Sequence, residues 1–90
     1  MSETGDGGAV RAEMRNFIED NFLYMHPDVE LDDSEDLLAR GLVDSLGFVE
    51  LVEEVQTRYA ITVEDVEITE ENFGSVDAIV GFVGRKREAG

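Results

Sequence analysis

The sequence contains no cysteine, a single histidine (His26) and a single proline (Pro27). Without cysteine, disulfide bonds, thiolate catalysis and cysteine-ligated zinc are excluded. Basic residues are also scarce, because seven Lys and Arg stand against 22 Asp and Glu, which gives a formal charge of −15. Such a surface repels nucleic-acid phosphates and anionic membranes, so neither is an expected partner, whereas proteins with basic patches are favoured.

Long apolar segments are missing as well. No run approaches the roughly 20 apolar residues that a membrane span needs, and the N-terminus lacks the basic and apolar regions of a signal peptide. We therefore expect a complete, cytoplasmic chain. Its 90 residues suffice for one domain, expected to be monomeric, and a hydrophobic fraction of 42% argues against wholesale disorder.

Apolar periodicity predicts three long helices and one short one. The long helices are expected at about residues 9–24, 45–58 and 76–87, with a capped single turn at 69–73. Their stripes can be hidden only against each other, which favours a small helical bundle. The predicted domain spans residues 9–87, between a flexible tail at 1–8 and a short tail at 88–90.

The connections are predicted to be irregular but partly packed. Pro27 should end the first helix, and Asp33 or Ser34 could cap a short turn that runs through Ala39. Residues 60–68 are expected to form an extended loop rather than a strand, since one strand would have nothing to pair with. The apolar residues expected to face inward from the first helix and from the two connections are Val10, Met14, Phe17, Ile18, Tyr24, Met25, Leu31, Leu37, Leu38, Ile61, Val66 and Ile68.

The stretch from Gly41 to Tyr59 is the most informative part of the chain. Its inward stripe follows helical spacing and consists of Phe48, Leu51, Val52, Val55 and Tyr59. Leu46 and Val49 fall off this stripe and are predicted to be exposed. Either Asp44 or Ser45 fits the N-cap position. A phosphate on Ser45 would lie at a helix N-terminus, where unpaired N–H groups and the helix dipole favour an anion.

Other chemistry finds little support. His26 is the one imidazole that could activate Ser45 in a hydrolase, and a single histidine in a turn is usually solvated. The alternating acids of residues 28–36 fail the calcium-loop pattern, because neither frame supplies glycine at the sixth position and glutamate at the twelfth. We therefore predict no catalytic residues and no metal site.

The segment GLVDSLGFVELVEEVQ closely resembles the attachment motif of acyl and peptidyl carrier proteins, and the resemblance extends from about Val10 to Lys86. It implies a four-helix bundle with a long loop between helices one and two. It also implies that Ser45 carries 4'-phosphopantetheine, transferred from coenzyme A by a phosphopantetheinyl transferase. The thiol of that cofactor would hold an acyl or aminoacyl group as a thioester. The protein would then be a carrier rather than an enzyme.

The resemblance places partner contacts on Asp44, Leu46, Val49, Glu50 and Glu54. The implied partners are a loading ligase and downstream acyltransferases, synthases or tailoring enzymes. Gly47 and Glu53 differ from the usual fatty-acid carriers, and GLVDSLG is more similar to freestanding carriers loaded by adenylating ligases, which suggests secondary metabolism. The alternative is an acidic helical module that binds partners without covalent attachment.

Overall fold

A computed structural model describes residues 2–24, 26 and 28–89 of the chain. Within these residues there are helices and no strands: α1 (Ser2–Asn21), α2 (Ser45–Tyr59), a 3₁₀ turn (Asp65–Glu67), α3 (Glu70–Phe73) and α4 (Val76–Ala89). The prediction of an all-α fold with three long helices and one short helix is confirmed. None of the described helices is long and apolar enough to cross a membrane.

One hydrophobic core joins the four helices. α1 packs against α4, while α3 contacts both α4 and α2. Phe73 of α3 is fully buried at the junction, with its ring 4.9 Å from that of Phe82 and 6.3 Å from that of Phe48. The other core residues on the helices are Val10, Met14, Ile18, Leu51, Val52, Val55, Val76, Ile79 and Val83. The predicted inward stripe of α2 is confirmed, with Phe48 and Tyr59 partly buried at its edges.

The helix ends differ from the prediction mainly at the start of the chain. α1 begins at Ser2, although residues 1–8 were expected to form a tail. Glycines at positions 5, 7 and 8 weaken a helix by about 1 kcal/mol each but do not terminate it, and no proline precedes residue 27. At the other end of the chain, α4 continues to Ala89 instead of stopping near Arg87.

α1 ends at Asn21, three residues before the predicted end. The backbone N–H groups of Phe22 and Leu23 both bond to the Ile18 carbonyl, which closes the last turn. Leu23 is buried, whereas Tyr24 is exposed, so the prediction that Tyr24 faces inward is wrong. Because the helix has already ended, helical spacing no longer applies at Tyr24. The expectations for Met25 and Pro27 lie outside the described residues.

The connection between α1 and α2 is anchored to the core by Leu31 and Leu37, as predicted, and Leu38 is half-buried. Its short turn is capped by Asp36, whose carboxylate accepts from the N–H groups of residues 38 and 39. The prediction that Asp33 or Ser34 caps this turn is wrong. The Asp33 carboxylate instead forms ion pairs with two arginines of α1.

An ion-pair network ties the middle of this connection to α1 and α4. Arg11 pairs with Asp33 at 2.7 Å and also with Asp77, while Arg15 pairs with Asp33 and donates to the Leu31 carbonyl at 2.9 Å. The Asp77 N–H donates to the Asp33 carbonyl at 2.9 Å. Burial acts to raise the pKa of Asp33, but the hydrogen bonds from Arg15 and Arg11 prevail and hold this pKa below its ordinary value.

The connection between α2 and α3 packs differently from the prediction. Val63 is buried, whereas Val66 is 84% exposed and Ile68 is also exposed, so two of the three residues expected to face inward do not. The third, Ile61, packs partly against the core. The 3₁₀ turn at Asp65–Glu67 accounts for the difference, because the prediction assumed an extended loop throughout residues 60–68.

Candidate functional site

The backbone that leads into α2 is fixed before the helix begins. Gly41 adopts a φ of +75°, a left-handed conformation that glycine reaches without the steric penalty of a side chain. The N–H groups of Leu42 and Val43 then both bond to the Leu37 carbonyl, and both side chains are buried. This anchored apolar pair sets the direction in which the next residues leave the core.

Asp44 is the N-cap of α2. Its backbone is extended, and its Oδ1 accepts from the Gly47 N–H at 2.7 Å. The Phe48 N–H bonds to the Asp44 carbonyl at 2.8 Å, which starts the helical pattern. The sequence allowed either Asp44 or Ser45 in this position, and the structure selects Asp44. The serine hydroxyl is therefore not needed to begin the helix.

Ser45 is the first residue of α2, and it is exposed. Among the described residues, no hydrogen bond involves its Oγ. The N–H groups of Ser45 and Leu46 likewise lack an acceptor in the part of the chain that the structure describes, as expected for a helix N-terminus. The site thus combines a free hydroxyl with two free N–H donors and the positive end of the helix dipole.

The outward surface beside Ser45 combines apolar and acidic residues. Leu46 is 69% exposed and Val49 is 49% exposed, which confirms that both fall off the inward stripe. Glu50 is exposed and makes no ion pair within the described residues. Glu54 is half-buried and bonds to Arg58 at 2.8 Å, so an approaching partner would compete with this internal pair for its carboxylate.

Gly47 lies on the inner side of the first turn and is buried there. It faces the ring of Phe22, which is partly buried and packs edge-to-face with Phe17, the two ring centroids being 5.9 Å apart. Sequence reasoning missed this contact, because Phe22 lies beyond the end of α1, where no periodicity indicates its direction. The glycine itself was the available signal, since an interior glycine often marks a close approach.

His26, the imidazole considered for a hydrolase, is exposed in the connection after α1. None of the hydrogen bonds among the described residues joins it to Ser45. In the same described ranges, no three acidic or histidine side chains form a group that could hold a metal ion. No observation on these residues supports hydrolysis.

A sequence profile of the family described as "Phosphopantetheine attachment site" matches residues 21–83, most of the chain. The chain belongs to this family of phosphopantetheine-binding carrier proteins. Among its relatives, the D-alanyl carrier protein of Streptococcus suis (strain 98HAH33) is 36% identical over 74 residues, which cover 82% of this chain and 90% of the relative. The D-alanyl carrier protein of Streptococcus sanguinis (strain SK36) is 34% identical over 80 residues, or 89% and 98% of the two chains. No solved structure matches the chain.

Family membership settles the general role of this carrier. Proteins of the family bear covalently attached 4'-phosphopantetheine and are not catalysts, because the chemistry belongs to the enzymes that modify and use them. The expectation of a carrier with this cofactor, rather than an enzyme, is confirmed. The relatives are named as D-alanyl carriers and give no support to the expectation of secondary metabolism.

Proposed function

We propose that Ser45 is the attachment residue and that this protein carries an aminoacyl group between enzymes. Ser45 is supported most directly by the start of α2, where one side chain caps the helix and the next is left exposed. Asp44 caps the helix, and the neighbouring Ser45 hydroxyl is exposed and makes no hydrogen bond to any described residue. A transferase can reach such a hydroxyl without disrupting the fold.

The residues present fit the cofactor. In the attachment step, Ser45 Oγ forms a phosphoester bond with the phosphate of 4'-phosphopantetheine, the pyrophosphate bond of coenzyme A breaks, and adenosine 3',5'-bisphosphate leaves as the serine loses its proton. The free N–H groups of Ser45 and Leu46 and the helix dipole favour the negative charge at this position. Once attached, the group supplies a terminal thiol that holds an acyl group as a thioester.

The carrier contains no cysteine of its own. The cofactor thiol is therefore the only thiol on the loaded molecule. The carrier therefore has no thiol of its own that could accept the acyl group or form a disulfide with the arm.

For the cargo, we infer D-alanine or a similarly small aminoacyl group, activated and transferred by an adenylating ligase. Two observations support this inference: the streptococcal relatives are named as D-alanyl carrier proteins, and the GLVDSLG segment resembles that of freestanding carriers loaded by adenylating ligases. A secondary-metabolite cargo is the less favoured alternative. A cytoplasmic location and a monomeric state remain predictions.

The surface around Ser45 suits brief contacts with these enzymes. We propose that Leu46 and Val49 supply the apolar contact and that Asp44, Glu50 and Glu54 supply charge attraction to basic partners. Charged rims accelerate encounter more than they tighten binding, which suits a protein that must leave after each transfer. A purely non-covalent module would use the same surface but would not require Ser45.

Attachment can be tested by incubating the carrier with coenzyme A, Mg²⁺ and a broad-specificity phosphopantetheinyl transferase and then measuring its mass. We expect the wild-type protein to gain one phosphopantetheinyl group and Ser45→Ala to gain none. Ser34→Ala is the matched control, because Ser34 is also exposed and its Oγ is bonded to Asp32 at 2.8 Å. A Ser45→Ala protein that is still modified would refute the assignment.

Cargo can be tested with the modified carrier, ATP and a D-alanine-activating adenylating ligase. D-alanine is expected to load as a thioester that hydroxylamine releases, whereas a medium-chain fatty acid supplied with its own ligase should load poorly. Preferential loading of the fatty acid would contradict the aminoacyl assignment but would leave Ser45 as the attachment residue.

A further inference from the structure

The contact between Gly47 and Phe22 leaves no room for a side chain behind the proposed attachment residue. A methyl group added to Gly47 would lie 2.7 Å from Phe22 Cε1, 3.2 Å from Asp44 Oδ1 and 3.2 Å from Val43 Cγ1. The first distance is shorter than side chains tolerate, and the other two are tighter than ordinary contacts. Position 47 therefore accepts alanine only if the Phe22 ring moves away and Asp44 and Val43 shift by a few tenths of an ångström.

These neighbours are not free to move. The backbone of Phe22 is fixed by its hydrogen bond to the Ile18 carbonyl at 2.8 Å, and its ring rests against Phe17. Val43 is buried, and the Asp44 oxygen in question is the one that caps the helix. An added methyl group would therefore displace the cap itself or the apolar pair that leads into α2.

We propose that Gly47 and Phe22 are a size-matched pair that positions the first turn of α2 and so presents Ser45 to the enzyme that modifies it. Gly47 lies about 200° around the helix axis from Ser45, so Phe22 supports the turn from behind while the hydroxyl faces outward. Neither residue would touch the cofactor, and both are positioning residues. This inference rests on the proposed attachment at Ser45.

The pair can be tested with Gly47→Ala, Phe22→Leu and the double variant. Leucine lacks the Cε1 atom that the new methyl group would meet, so Phe22→Leu should make room for alanine at position 47. Gly84→Ala is the matched glycine control, because a methyl group there meets nothing within 4 Å on α4. Ile79→Val, a buried truncation on the same helix, supplies a variant that is destabilised away from the site.

Two quantities decide the outcome: kcat/KM for phosphopantetheine transfer, and the hydrogen-exchange protection of the Gly47 N–H that bonds to Asp44. For Gly47→Ala we expect kcat/KM to fall about tenfold, the factor that a modest overpacking cost produces, together with weaker protection of this N–H. The double variant should recover most of both. Gly84→Ala and Ile79→Val should transfer at the wild-type rate while folded.

Each outcome has one interpretation. Normal transfer and normal protection in Gly47→Ala would overturn the positioning role and leave the attachment at Ser45 intact. Loss of transfer in Gly47→Ala that Phe22→Leu does not restore would also overturn the pairing. A wild-type protein that gains no phosphopantetheinyl group would overturn the attachment and the positioning role together.

Discussion

The starts of α2 and α4 are built alike and exposed differently. In α2 the Asp44 carboxylate accepts from the N–H three residues ahead at 2.7 Å, and in α4 the Ser75 hydroxyl does the same at 3.1 Å. After the cap, α2 continues with exposed Ser45, whereas α4 continues with fully buried Val76. The next residue in α4, Asp77, is held by Arg11 and by the Asp33 carbonyl.

The difference shows that capping alone does not distinguish the proposed attachment site from an ordinary helix start. Both caps satisfy N–H groups that the helix leaves unpaired. In α4 the residues after the cap are packed in the core or held by an ion pair, whereas in α2 a hydroxyl and two apolar side chains are exposed to solvent. The residues left exposed after the cap, rather than the cap itself, distinguish the proposed attachment site.

A negative charge introduced after each cap should give the largest difference in stability between the two helix starts. Val76→Asp should remove a large part of the stability of the domain and lower its melting temperature sharply, because an unpaired buried charge costs about 3–5 kcal/mol and the total stability of a small domain is about 5–15 kcal/mol. Leu46→Asp should keep the melting temperature near that of wild type, because Leu46 is exposed. Thermal unfolding followed by circular dichroism measures both. Equal destabilisation would show that the α2 start is also packed.

Removing the Asp33 carboxylate, which pairs with Arg11 and Arg15 of α1, should have an intermediate effect on stability. Asp33→Asn should lower the free energy of unfolding by about 1–2 kcal/mol, since charge-assisted hydrogen bonds from two arginines are lost or weakened. Phosphopantetheine transfer should stay at the wild-type rate. Urea unfolding measures the first quantity, with Asp32→Asn as the control, because Asp32 is exposed and its carboxylate accepts from the Ser34 N–H and Oγ without an ion pair to a described residue. A slowed transfer would indicate that the network also shapes the attachment site.

Removing each cap should cost similar stability but different function. Asp44→Ala and Ser75→Ala are each expected to lower the free energy of unfolding by about 1 kcal/mol. Asp44→Ala should also slow phosphopantetheine transfer, because it loosens the turn that bears Ser45, whereas Ser75→Ala should not. Parallel urea unfolding and mass-based transfer assays measure the two effects. Equal transfer rates would remove the functional distinction between the caps.

The smallest effect concerns pH. Because the folded-state pKa of Asp33 lies below its ordinary value of 3.8, its contribution to stability is fully present above about pH 5 and is lost as the pH falls through the folded pKa. The stability difference between wild type and Asp33→Asn should therefore shrink between pH 5 and pH 2. Urea unfolding across this range measures it, and a constant difference would show that the ion pairs contribute nothing.

The helices and the candidate site could largely be predicted from the sequence, because both depend on neighbours close in the chain. The stripe from Phe48 to Tyr59 repeats at helical spacing, and its packing is confirmed. The exposure of Leu46 and Val49 follows from the same spacing. Sequence alone left Asp44 and Ser45 equivalent as caps, because both side chains can accept the same N–H bond.

The errors fall where distant contacts decide the structure. Asp33 looked like a cap from its neighbours, but arginines 18 and 22 residues earlier in the chain take its carboxylate. Val66 is exposed rather than buried as expected, because a 3₁₀ turn replaces the extended loop at this point. The meeting of Phe22 with Gly47 joins two segments that no local pattern relates. These contacts can be identified only from the three-dimensional structure.

The scarce cations of this chain are occupied internally. Five of them pair with carboxylates of the chain itself: Arg11, Arg15, Arg40, Arg58 and Lys86. Arg85 bonds to Asn72, and Arg87 lies over the ring of Tyr59. At a distance the molecule presents its net negative charge, which attracts any enzyme with a basic face. On the proposed partner surface, the choice among such enzymes would then fall to short range, where each must fit Leu46 and Val49.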